Sequence, residues 1–147
     1  MSFQNIRRHY EAPVLAVCDI LRINYYGPNE LEYTPDATGE YVLARIQFDN
    51  ITTEPPIGCI PLEDIGGVFV VEHFCQKGIG PARTQDVMQR IICNLLQLNE
   101  PPLKDSFGVR GTIGPISGPR FTALDGRPFY FSAISMPIRA KVLDEAP

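Results

Sequence analysis

His73 and Cys75 come nearest to reactive chemistry in this 147-residue chain. Two apart on an extended segment, they share one face, and with Cys59 they would offer three soft donors to zinc. A closed site needs a fourth, and His9, Cys18 and Cys93 stand at none of the usual ligand spacings. A thiolate nucleophile needs a neighbouring base and a third group to orient it. His73 beside Cys75 on one strand leaves the two side chains parallel, not converging on a substrate. Gly78-Ile79-Gly80 supplies two glycines of a dinucleotide-binding turn, but Arg83 occupies the place of the third and no βαβ unit surrounds it. No serine elbow, HExxH or paired-carboxylate motif is present. The expectation is a chain with no catalytic, cofactor-binding or metal residues. A small thiol- or metal-dependent activity built on Cys75 and His73 is the competing enzyme reading.

Arg45, Gln47, Arg139 and Lys141 form a second set, polar residues on strand faces opposite the predicted core. They fit an ordinary solvated sheet face, or an intersubunit or lumen surface.

The elements that would carry these residues follow from periodicity. From Phe3 to Leu21 the apolar positions Ile6, Tyr10, Val14, Val17 and Leu21 recur at helical spacing. Pro13 predicts a kink or a fresh start there, and Arg7, Arg8 and Glu11 fall on the solvent side. Turn residues at 27–29 and 35–39 flank a short extended piece, Leu31 to Tyr33. Tyr41 to Phe48 alternates as a half-buried strand, with Val42, Ala44, Ile46 and Phe48 on the core face. Asp49 to Asp64, with Pro55-Pro56, Gly58 and Pro61, reads as a long loop. Gly66-Gly67 opens a central strand in which Val68 to Val71 is apolar on both faces.

After a turn at 76–80, Pro81 suits the first position of a helix, where its missing N–H costs nothing. Val87, Met88, Ile91, Ile92, Leu95 and Leu96 give that helix its apolar face to about Leu98. Asn99 to Pro102 stops it. Phe107 to Ile116 and Pro119 to Ala123 read as short Gly-rich strands, Asp125-Gly126 as a hairpin turn, and Phe129 to Val142 as the last strand. Pro137 marks an edge, bend or bulge. The sum is one α+β domain over 1–147, a mostly antiparallel sheet packed against two amphipathic helices.

Composition narrows the function. A net charge of -4 and pI near 5.1 argue against a surface built to grip phosphates. No apolar run approaches the roughly 18 residues of a membrane span, and Met1 to Asn5 lacks a signal-peptide pattern, which predicts a cytosolic origin. The four widely spaced cysteines are expected to be free and mostly buried.

An N-terminal helix, a turn-rich stretch with Asn29 and Pro35, and the strand Tyr41-Val42-Leu43-Ala44-Arg45-Ile46 together resemble the opening of bacteriophage tail terminator and tail-completion proteins. Gly66 to Val71, the Lys77-Gly78-Ile79-Gly80 turn, the helix from Thr84 to Leu98 and the hairpin at Asp125-Gly126 continue the likeness over nearly the whole chain. The resemblance implies a structural virion subunit, not an enzyme, assembled in the host cytoplasm. It would form a homo-oligomeric ring, usually of six copies, that caps the tail tube, ends tube polymerisation and joins the tail to the neck or connector. Its implied partners are itself, the tail tube protein, neck or connector proteins, and a sheath protein if the tail is contractile. DNA would pass through the lumen without specific binding. Arg45, Gln47, Arg139 and Lys141 would then be candidates for a subunit interface or lumen face. A neck or head-completion (head-tail joining) subunit is the alternative within the same class.

Overall fold

The computed structural model describes residues 3–26, 40–57, 60–76, 81–99, 109–123 and 129–143. Helix α1 (Phe3–Leu21) leads into strand β1 (Asn24–Tyr26), and β2 (Tyr41–Ile57) pairs with β3 (Ile60–Gln76). Helix α2 (Pro81–Leu96) ends in a 3-10 turn (Gln97–Asn99), followed by β4 (Val109–Ile113), β5 (Ser117–Ala123) and β6 (Phe129–Leu143). The sheet order is β1-β2-β3-β6-β4, with β5 also on β6. All described pairings are antiparallel except β1 with β2. The fold is α+β, as the periodicity predicts.

Both helices lie on one face of the sheet. Ile6, Tyr10, Val14 and Val17 of α1 and Val87, Met88, Ile91 and Leu95 of α2 join one buried cluster with Val42, Ala44, Phe69, Val71, Ile134 and Met136. Each fully buried side chain of this size contributes about 1.5–3 kcal/mol from water exclusion. Two polar clamps fix the helical layer to the sheet. The Tyr10 hydroxyl lies 3.0 Å from the carbonyl oxygens of both Thr112 and Arg139. Asn99 donates to the Ile113 carbonyl and accepts from the Ile113 N–H, both at 2.9 Å, as a neighbouring strand would.

Several expectations are corrected. Residues 49–64 are not a long loop: β2 and β3 run on into it, pairing from Asn50↔Gly66 to Ile57↔Ile60. Pro55 and Pro56 are tolerated because, among the described residues, β1 pairs only with Tyr41 to Leu43 and the rest of β2 is an edge. A bulge between Phe48 and Asn50 absorbs the register change, and Gly67 sits against it, where an added Cβ would collide with the Gln47 carbonyl. Helix α1 does not begin afresh at Pro13 but runs through it, and Glu11 is buried, not solvent-facing. Arg7 reaches it at 3.7 Å, an i,i+4 pair that lets the carboxylate sit inward. Leu96, assigned to the apolar face of α2, is exposed.

Pro137 is neither at an outer edge nor at a register shift of β6. It pairs with Val68 on one side, and on the other it faces the gap between β4, which ends at Ile113↔Ile138, and β5, which begins at Ser117↔Ser135. A strand interrupted opposite a proline has no ladder bond to lose; the Gly114 N–H instead donates to the Pro137 carbonyl at 2.7 Å. The expected extended piece at 31–33, the turns at 27–29, 35–39 and 77–80, and the Asp125-Gly126 turn lie outside the described residues.

Candidate functional site

His73 and Cys75 do share a face of β3, but it is the core face, and both are fully buried. Cys75 Sγ lies 3.1 Å from Thr84 Oγ1 on α2. Burial pushes the Cys75 thiol up, with the Glu40 charge adding to it against the pull of Thr84 and Arg83. A neutral, enclosed thiol is a packing group, not a nucleophile.

Glu40, which the sequence reading did not single out, organises this end of the sheet. The Arg83 guanidinium forks onto its carboxylate, Nε to Oε2 at 2.9 Å and Nη2 to Oε1 at 2.8 Å. His73 Nε2 stands 3.5 Å from Oε2, an ion-pair distance longer than a good hydrogen bond. Burial alone would raise the Glu40 carboxyl; His73 and Arg83 outweigh it and bring it down to about 2. The first turn of α2 thus carries Arg83 to the start of β2, tying helix to sheet through a charge pair. The one sequence signal was Arg83 itself, the residue that spoils the dinucleotide turn. Among the described residues no three His, Cys, Asp or Glu side chains converge as metal ligands. Cys18 is buried, with its thiol pushed up to about 12 chiefly by that burial. Cys93 is exposed, and Cys59 lies outside the residues whose side chains are described.

Among the described residues no helix lies on the other sheet face, and all four strand residues singled out from the sequence are on it. Its geometry follows from strand register, one rung at a time. Arg45, Val70, Ser135 and Ser117 line up across β2, β3, β6 and β5. The next rung holds Gln47, Val68 and Pro137, followed by Gly66, Arg139 and Thr112, then Lys141 with Arg110. Arg45 is tethered by a 2.6 Å bond to Glu72 Oε1. Two shallow depressions of about 400 and 340 Å³ meet at Val70. One is bounded by Arg45, Gln47 and Val68, the other by Ser117, Arg120, Ala133 and Ser135. Toward the other end of this face, the rings of Tyr41 and Phe74 stack at 4.5 Å and Phe131 packs 5.0 Å from Phe74, so the face passes from an aromatic end to a cationic one. Arginines, an amide and hydroxyls around a valine floor can hold a partner; they offer no activated acid, base or nucleophile.

No family model matches the chain, and no curated protein matches it significantly. It is similar to a solved structure of a protein whose name states no function, at 20% identity and a TM-score of 0.65 over 100% of this chain and 99% of that one. At that identity the likeness is one of fold: a solved structure shares this α+β architecture from end to end.

Proposed function

We propose that this chain is a structural virion subunit that closes into a ring on the end of a phage tail tube, stops tube growth and joins the tail to the neck. The observation that carries the reading is the whole-chain order of elements. A leading helix, a long hairpin, a second helix and a closing set of strands make one sheet that, among the described residues, is covered by helices on one face only. Such a subunit keeps a broad second face for other proteins. The reading is also supported by the state of the reactive residues: His73 and Cys75 are spent on the interior, which leaves binding as the task of the surface.

The test is molar mass in solution, followed by negative-stain imaging with and without purified tail tubes. Rings that cap tube ends are the expected result. Rings that bind the connector but ignore the tube would instead assign the chain to the neck. A monomer at every concentration, with no ring even on tubes, would overturn the reading.

A further inference from the structure

The bare sheet face is charged against the trend of the chain. Arg45, Arg110, Arg120, Arg139 and Lys141 lie on it, five of the 13 basic residues of a chain with net charge -4. Its anions are Glu72, which Arg45 already holds, Asp49 at the β2 bulge, and two placed by the register, Asp64 opposite Lys141 and Glu54 opposite Leu62. Formal charges therefore leave this face at +1 and the remainder of the chain at -5. Lys141 stands between Arg110 on one neighbouring strand and Asp64 on the other, so one cation of this rung has an opposite charge directly across from it and the other, Arg110, does not. Between the cations lie Val68, 38% exposed, Val70 and the exposed Pro137. An apolar centre rimmed by arginine has the composition of a protein interface, whereas a phosphate backbone would find no use for the valine floor.

We propose that this face docks onto a second copy of the same chain, and that the contact is heterologous: the cationic sheet face of one copy meets a different, acidic surface of the next. Face-to-face pairing through a twofold axis would bring together two faces of the same net positive sign. Charge thus selects a head-to-tail contact, which closes into a ring when the rotation closes and otherwise gives a filament. The inference rests on the ring reading and adds which surface builds the ring.

The experiment compares the full chain with the charge-reversed variant R120E/K141E and the milder R120A/K141A by sedimentation over a range of concentration and salt. Circular dichroism confirms that each variant folds. R90E, on the exposed side of α2, is the control. Wild-type association is expected to weaken at least tenfold between low and high salt. R120E/K141E should lose association at least tenfold at low salt, the alanine pair less, and R90E not at all. Unchanged association of R120E/K141E would overturn the docking surface while leaving ring formation standing, and assembly that stops at a symmetric dimer would overturn both. A wild-type chain that stays monomeric even on tail tubes would overturn the ring reading and this inference together.

Discussion

Glu40 turns a local contact into a pH dependence. Its carboxyl lies near 2 in the folded protein against an ordinary 4.5, so between those values the unfolded chain binds more protons than the folded one. The stabilisation is complete above about pH 4.5 and is lost as pH falls through 2, a contribution of roughly 2 kcal/mol. E40Q keeps the shape but not the charge. It should lose about 2 kcal/mol at pH 7 by leaving Arg83 half-buried without its partner, and its stability should fall less steeply than wild type between pH 4.5 and 2. Urea titrations across that range would measure both effects; parallel curves for the two proteins would refute the assignment. Gly111 makes a second residue-scale test. A Cβ there would stand 2.5 Å from His9 Cδ2 and 2.7 Å from Tyr10 Cζ, so G111A should push α1 away from β4 at a cost of about 1–3 kcal/mol. Because His9 is one of the two groups in the way, the penalty should shrink in an H9A background. Purely additive changes in the double-mutant cycle would argue against that contact.

At the scale of elements, the 3-10 turn after α2 acts as a substitute strand. Asn99 makes two 2.9 Å bonds to the backbone of Ile113, so N99A should cost about 1 kcal/mol and raise hydrogen exchange at the Ile113 amide specifically. A stability loss without that local change would place the effect elsewhere. How far each element was legible in the sequence depended on whether its cause was local. Helix α2 was readable because Pro81 sets its start and Val87, Met88, Ile91 and Leu95 keep one period. The outer half of the β2–β3 hairpin was not, since Pro55, Pro56 and Pro61 look like loop chemistry until pairing shows that β2 is an edge. Pro137 gave the same ambiguity and the opposite lesson: a proline can sit inside a sheet where the neighbouring strand breaks. Burial of Tyr41 and Glu72 was illegible because it depends on Phe74 and Arg45, far along the chain from them. Arg45, Gln47, Arg139 and Lys141 were placed correctly on the face away from the core by simple alternation, yet the Glu40–Arg83 pair joins residues 43 positions apart, and its one local trace, Arg83 in place of a glycine, does not point to Glu40.

For the whole molecule, the sheet order predicts where unfolding starts. Strand β3 is bonded to β2 on one side and β6 on the other, and β6 to β3 and to β4 or β5 along most of its length. Strand β1 contributes only three residues. Opening β3 or β6 therefore requires breaking ladders on both flanks and exposing Phe69, Val71, Ile134 and Met136, so it should cost nearly the global free energy of unfolding. In native-state hydrogen exchange, measured dilute enough to keep the chain monomeric, the amides of Phe69 to Val71 and Ile134 to Met136 should exchange last. Those of β1 and of β2 beyond the bulge should exchange many times faster. Equal protection of Ile51 to Thr53 and Phe69 to Val71 would mean that the hairpin tip is held by more than its pairing with β3. Repeating the measurement at assembling concentrations makes the open face informative in turn. Slowed exchange in β4 and β5, carrying Arg110 and Arg120, would be expected if the sheet is a docking surface, and slowing confined to the helices would place the contact on the opposite side.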